Sequence, residues 1–355
     1  MNDFVTLGES DVDARWVGVR RHQAVLVIVG MGLVGDWTIG TNVSVSFLVL
    51  GLALFISAVP FVEGRTAAEF AATAVRFVAR SHWLRVTLTR VGGDLVIDAQ
   101  GEQTFRGFEL DHRGRFDLSG NDVVIADRMA TMVNGLGARS SMSHVSIHLV
   151  TKPQSSQTLL ALGADCSPVE GWRENTDLVF QYLHLSETRG VKHFLERWTY
   201  LRSDQQVLRV LRVSGYGATN QNKAFLEELQ KCACKPEISL HLDVFTTTKA
   251  RRVAARAVHQ LGSDSAASSS VGFRRTARSQ RALQRTAQRE ELVADGQALF
   301  HLGVYVVVRA DSLRELHHNI ASVFTSAQDS GLTLERGRGN QLHWFRYQLP
   351  GGVGW

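Results

Sequence analysis

VSGYGATNQNKAFLEEL, residues 213–229, is the stretch on which the fold class turns. An apolar strand runs into two glycines and then into a lysine at the start of a helix, the outline of a phosphate-binding loop. Such a loop would make the body a parallel, doubly wound sheet around a nucleotide. The signature is G-x-x-x-x-G-K-[ST], in which the second glycine lets backbone amides reach the phosphates and the hydroxyl holds Mg²⁺. Counted from Gly217, the second glycine position is Asn222 and the hydroxyl position is Ala224; beyond the first glycine, only Lys223 falls in place. The metal ligand is therefore missing. The dinucleotide fingerprint fails as well, because GYGATN ends on Asn220. No later apolar run ends in the Asp-Glu pair of a hydrolytic ATPase. The stretch reads instead as a strand leaving a sheet through a glycine turn. It enters a helix capped near Thr219 or Asn220, with Phe225, Leu226 and Leu229 turned inward.

The flanking sequence supports an antiparallel sheet. LRVTLTR, DLVIDAQ and FRGFEL, between residues 84 and 110, alternate with period two and are broken by glycines, as strands of a small sheet would be. From Ser119 a helix is expected, with Val123, Ile125, Ala126, Met129, Met132 and Val133 on its apolar side. SHVSIHLVT is a strand. TDLVFQYLHLSETRGVKHFLERW reads as a helix, QQVLRVLRVSGY as a strand, EISLHLDVF as a strand and TKARRVAARAVHQL as a helix. GSDSAASSS reads as a flexible connector. A polar helix follows from about Arg274 to Gln297, then the strand LFHLGVYVVVRA and the capped helix DSLRELHHNIASVFTSAQDSG. LTLERGR and QLHWFRYQL finish as strands. The order lacks the short parallel crossover rhythm, so the expected class is α+β, a mostly antiparallel sheet with packed helices.

The N-terminal end differs in kind. VSVSFLVLGLALFISAVPFV, residues 43–62, has 20 residues without a charge, enough to cross the roughly 30 Å of a bilayer core as a helix. AVLVIVGMGLVG, residues 24–35, is shorter and spans only if continued toward Thr41. Together they suggest a transmembrane helical hairpin over 24–62 after a cytoplasmic segment 1–23. Arg20 and Arg21 precede it, Asp36 and Trp37 lie in its turn, and Arg65, Arg76 and Arg80 follow, which by the positive-inside rule puts both termini in the cytoplasm. Residues 63–84 form an amphipathic helix, either lying on the inner leaflet with Phe77 and Trp83 as anchors or packing on the body as its first helix. Residues 85–355 make the cytoplasmic domain.

The remaining chemistry is sparse. There is no G-x-S-x-G elbow and no HExxH. Cys166, Cys232 and Cys234 have no metal-ligand spacing, consistent with reduced thiols. His144 and His148 share one face of a strand without a third ligand nearby in sequence. No catalytic residue, cofactor or metal is therefore expected. The formal net charge of +5 is carried mostly by arginine. Arg274, Arg278, Arg281, Arg285 and Arg289 recur about once per turn and make a basic stripe, readable as a solvated face or as a surface able to meet phosphates or an acidic partner. No aromatic residue interleaves with it, and direct nucleic-acid binding is not expected.

Two portions of the chain resemble known secretion proteins. The hairpin with GRTAAEFAATAVRFVAR resembles the small PrgI-type membrane components of type IV secretion and conjugation systems. The body is similar to the N-terminal, non-motor domain of VirB-type secretion ATPases, in an actinobacterial arrangement that fuses the two. The resemblance rests on GFRRTARSQRALQRTAQREELVADGQALFHLGVYVVVRA and SLRELHHNIASVFTSAQDSGLTLERGRGNQLHWFRYQLPGG. Its terminal pattern falls on Gln341, Phe345, Leu349 and Pro350. What it implies is a membrane-anchored scaffold that docks a separate ATPase, alongside membrane lipid, other inner-membrane secretion subunits and copies of itself. A membrane component of a type VII system, or a membrane-tethered enzyme with an unrecognised site, are the alternatives.

Overall fold

The structure, a computed structural model, describes residues 15–16, 19–20, 60–62, 65–91, 94–98, 102–110, 134, 143–151, 157–163, 172–175, 189–203, 206–216, 229, 232–270 and 277–349. In chain order the elements are β1 (Arg15–Trp16), β2 (Val19–Arg20), β3 (Pro60–Val62), β4 (Arg65–Thr66), α1 (Ala67–Ala79), β5 (Trp83–Val91), β6 (Asp94–Asp98) and β7 (Glu102–Leu110). Then come β8 (Ser143–Thr151), β9 (Gln157–Gly163), β10 (Trp172–Glu174), β11 (Arg189–Glu196), β12 (Leu201–Arg202), β13 (Val207–Tyr216) and β14 (Glu237–Val244). The last are α2 (Thr247–Ser270), α3 (Ala277–Ala294), β15 (Phe300–Ala310), α4 (Leu313–Asp329), β16 (Leu332–Glu335) and α5 (Gln341–Gln348).

Twelve strands form one sheet, in the order β10-β7-β6-β5-β11-β12-β13-β15-β14-β8-β9, with β16 added alongside β13. Every pairing in it is antiparallel, and β7 also pairs with β9, so the ladder returns to its own beginning. That return leaves β7 and β9 paired rather than ending the sheet on two open edges. The α+β class and antiparallel sheet expected from the alternation are what the chain forms.

The centre is β15. Its run of β-branched residues, Val304 to Val308 around Tyr305, is buried on both faces, as a strand between two packed layers must be. One face carries Val304, Val306, Val308 and Ala310, joined by Val145, Ile147, Leu211 and Leu242. Helix α4 covers this face with Leu316, Ile320, Val323 and Ala327, spaced at one turn. Ser312 caps it, its Oγ accepting from Glu315 N at 3.2 Å while Glu315 Oε2 accepts from Asp311 N at 3.2 Å. The opposite face carries Tyr305 and Val307 with Leu84, Val86, Leu88, Leu208 and Val210, and α5 packs there through Leu342, Trp344 and Phe345.

Several expectations are corrected. QLHWFRYQL was expected as a strand and is helix α5. RGVKHFLE, expected at the end of a helix, is strand β11, paired along its length with β5. GSDSAASSS is no connector, because α2 continues through it to Ser270. The expected transmembrane hairpin is also overturned. Among the described residues no helix is long and apolar enough to cross a membrane, and Pro60–Val62, assigned to the end of the second span, instead pairs as a strand with Arg65–Thr66. Residues 21–59, with Arg21, Asp36 and Trp37, lie outside the described residues. So do Gly217, Lys223 and the rest of 217–228, Cys166 and the helix expected from Ser119, apart from Asn134.

Helix α1 takes the second of its two expected positions, packed on the body. Phe70 and Phe77 meet the Trp198 ring edge-on at 5.6 and 5.2 Å. Phe77 is thus turned inward onto Trp198. Val75 and Val78 remain exposed on the outer side of α1, as does Trp83 at the start of β5.

Candidate functional site: a histidine layer and a basic arm

Three arrangements of polar side chains stand out, and their chemistry separates them. The first pins the C-terminal segment. Glu196, fully buried at the end of β11, accepts from Arg80 Nη2 at 2.7 and 2.8 Å, and from the backbone N of Leu342 at 2.8 Å. The carboxylate thus sits at the first turn of α5, where free N–H groups and the helix dipole favour a negative charge. Arg80 Nη2 also donates to Gly339 O at 2.6 Å, tying α1 to the same turn. Gln341 is wholly buried. Its Oε1 accepts from Val210 N, and its Nε2 donates to Val210 O, Arg336 O and Gly337 O at 3.1, 2.9 and 3.1 Å. An amide is the side chain that can do both at once. Phe345 packs on Phe194 at 4.5 Å between centroids, and Leu349 is buried beside them. Pro350 lies outside the described residues. These residues hold the fold, and none is free to meet a substrate.

The second arrangement is a layer of histidines. Strands β8 and β14 pair in register, His144 opposite Asp243, Ser146 opposite His241 and His148 opposite Ser239. Period-two alternation puts all six on one face, beside Tyr305 of β15. His144 Nδ1 donates to Asp243 Oδ1 at 2.7 Å, and His241 Nδ1 lies 3.4 Å from His144 Nε2. His241 Nε2 is 3.2 Å from Ser239 Oγ, and His148 Nε2 is 2.9 Å from Ser146 Oγ. The rings of His144 and His241 stack at 5.5 Å, and Tyr305 meets His241 edge-on at 5.5 Å.

The carboxylate, two imidazoles and serine are in series, which is the connectivity of a proton relay. The environment argues otherwise. Burial pushes His148 down to about 3 and His241 well below its ordinary value, with nearby imidazoles adding to the effect on both. Both are neutral at neutral pH, too weak to serve as general bases there. Ser239 Oγ lies in a residue 1 % exposed, with no route for a substrate. Among the described residues no group of three or more His, Cys, Asp or Glu side chains is placed to hold a metal ion. The layer is polar packing, its side chains hydrogen-bonded to one another within the core. Sequence reasoning singled out His144 and His148 but missed His241 and Asp243, which reach them only through strand pairing across some 90 residues.

The third arrangement is exposed. Helices α2 and α3 pack on each other, and their apolar contact with the body is confined to the root, where Ala250, Ala254 and Val293 are buried against Phe245 and Leu299. Beyond it, half-buried Ala257, Val258 and Leu261 on α2, with Leu283 and Thr286 on α3, continue the seam at three- and four-residue spacing. With 24 residues α2 is about 36 Å long at 1.5 Å per residue. A cleft of about 50 Å³ at the root, lined by Asn134, Phe245, Ala250 and Gln297, is far below the ~300–1,000 Å³ of small-molecule sites.

No family model matches this sequence, and no curated protein matches it. The residues themselves must therefore carry the functional argument.

Of the expected basic stripe, Arg281 and Arg285 are exposed on α3 and Arg289 is half-buried. Arg278 lies in the first turn of α3, and Arg274 is outside the described residues. The structure adds what sequence reading missed: Arg251, Arg252 and Arg256 stand exposed on the neighbouring helix α2. The two helices hold eight basic against three acidic side chains, a net +5, equal to the formal net charge of the entire chain. The remainder is therefore formally neutral. The topology residues fall elsewhere: Arg20 in β2, Arg65 in β4, Arg76 exposed on α1 and Arg80 in the Glu196 ion pair.

Proposed function

We propose that the chain is a non-catalytic docking component of a conjugation or type IV-like secretion apparatus, with ATP hydrolysis supplied by a separate protein. The observation that carries this reading is the use made of the segment that resembles the non-motor domain of secretion ATPases. Residues 277–349 give helix, strand, helix, strand and helix in succession, and Gln341, Phe345 and Leu349 are consumed in packing α5 onto the sheet. Such a unit is a rigid platform. Its chemistry is that of a scaffold, since His148 and His241 beneath it are buried and neutral. The outer face of α4, with Arg314, His317, His318 and Thr325 exposed, offers a surface to the ATPase, to other secretion subunits or to further copies of the chain.

The test is affinity capture of the tagged full chain from its native cells. Retention of a P-loop ATPase or a secretion subunit is the expected result. Its absence under mild extraction would overturn the assignment. ATP turnover by the purified chain, lost in Lys223→Ala, would overturn the non-catalytic part.

A further inference from the structure

The arm formed by α2 and α3 is the one strongly charged feature that the docking reading leaves unused. We propose that it binds the phosphate backbone of double-stranded nucleic acid, without reading sequence. The inference stands on the arm alone and departs from the absence of nucleic-acid contact expected from sequence.

Charge comes first. All of the chain's formal net charge lies on these two helices, and seven of their eight basic side chains are arginine, Lys249 being the eighth. Arginine's planar fork suits bidentate contact with phosphate better than lysine does. Among the described residues, Arg251, Arg252, Arg256, Arg281 and Arg285 form no ion pair. Their charges are not spent within the fold. Within the body, Arg80 is paired with Glu196, Arg212 with Glu335 and Arg309 with Glu237.

The class of polyanion follows from what accompanies the arginines. A protein partner is held by buried apolar or aromatic anchors at the centre of the contact. An anionic bilayer is held by an apolar face that inserts beneath the headgroups. Among the described residues the arm shows neither, its one large exposed apolar side chain being Val253 at 38 %. Between the arginines stand exposed Gln280, Gln284 and Gln288 on α3, and His259, Gln260 and Ser263 on α2. These are donors for phosphate oxygens, which take half or more of the hydrogen bonds in such complexes. Single strands are gripped by stacking on aromatic rings, and neither α2 nor α3 contains Phe, Tyr or Trp. Duplex backbone is what remains. Arg281 and Arg285 are four residues apart, about 6 Å along the axis, so neighbouring phosphates of one strand fall within their joint reach.

Fluorescence anisotropy with the purified full chain and a labelled mixed-sequence DNA duplex of some thirty base pairs tests this. Affinity is expected to fall with salt along a straight log–log line, each neutralised phosphate adding about 0.9 to the slope. Arg281→Gln with Arg285→Gln should lower that slope by about two and weaken binding roughly sixty-fold at 0.1 M salt. Both positions are exposed, and an unchanged circular dichroism spectrum shows the fold intact. Arg202→Gln, exposed on β12, serves as the control and should leave binding unchanged. Binding that is absent at 50 mM salt, indifferent to the double substitution, or matched by a single strand of equal length overturns the proposal. So does equal or tighter binding to polyglutamate or to vesicles rich in phosphatidylserine. Failure here with an ATPase still captured removes this inference alone, and duplex binding without such capture removes only the docking assignment.

Discussion

Stability should fall on mild acidification, and the histidine layer should be a measurable part of the loss. His148 and His241 are 0 % and 4 % exposed, and burial holds His148 at about 3 and His241 well below 6.5. Both are neutral in the folded chain at pH 5, while in the unfolded chain both take up a proton below about 6.5. The unfolded state therefore binds more protons, so stability rises with pH across this window and is lost as pH falls from 6.5 toward 3. Between pH 7.5 and pH 5 His148 costs about 2 kcal/mol, and His241 adds a loss of the same sign. The groups around them are His144, Asp243, Tyr305, Glu237 and the Gln348 carbonyl. Glu237 pulls His148 upward against burial, and the Gln348 carbonyl does the same to His241, but burial is the larger cause for both.

Urea unfolding at the two pH values measures the loss, and comparison with His148→Leu isolates one contribution. The variant lacks one titrating group in the unfolded chain, so its loss should be smaller than the wild type's by about 2 kcal/mol. Absolute stability at pH 7.5 also changes in the variant, because Ser146 Oγ loses its 2.9 Å partner, but that effect does not enter the difference between pH values. An identical pH dependence in wild type and variant would refute the reasoning. So would a His148 ring resonance that titrates between pH 8 and pH 5.

Gln341→Ala should destabilise by on the order of 3 kcal/mol, since Val210 N and O lose their buried partner. Gln341→Glu should be no better, because its carboxylate would face the three carbonyls to which Nε2 now donates. Midpoints of urea unfolding check both, and a Gln341→Glu as stable as wild type would contradict the geometry. Gly337 and Gly296 separate strain from steric overlap: both have positive φ, +57° and +95°, but a Cβ on Gly337 would overlap the Trp344 indole while one on Gly296 meets nothing within 4 Å. Gly296→Ala is therefore expected to cost about 1 kcal/mol and Gly337→Ala clearly more. Equal melting temperatures for the two variants would count against this placement of Trp344.

How far the sequence could be read depended on the range of the interactions involved. Strand β15 and helix α4 were plain, because a β-branched run and a Ser312–Glu315 cap are local signals. The fate of 213–229 was partly legible: Val213–Tyr216 is strand, and Leu229 is helical and buried. QLHWFRYQL was misread because a short apolar run suits strand and helix alike. What decides for the helix is remote, namely Gln341 meeting β13 and Glu196 accepting from Leu342 N. GSDSAASSS has a linker's composition, yet it prolongs a helix that runs beside α3, where pairing outweighs weak propensity. The apolar stretch 43–62 meets the length criterion for a membrane span, but length says nothing of pairing, and Pro60–Val62 forms a ladder with Arg65–Thr66. Neither the histidine layer nor the return of β9 to β7 has any local signature.

Charge and packing are segregated in this chain, and that segregation makes its two active features separable. The sheet with its histidine layer belongs to a formally neutral remainder, and burial keeps the His148 and His241 imidazoles uncharged. The arm carries the whole formal net charge outward on a seam of alanines and short side chains that adds little to the core. A change confined to the layer, such as His148→Leu, should therefore shift stability and its pH dependence while leaving the salt slope of duplex binding unaltered. Arg281→Gln with Arg285→Gln should do the reverse. If either substitution moved both readouts, the arm and the sheet would be energetically coupled, and treating the arm as an appendage on a rigid platform would have to be abandoned.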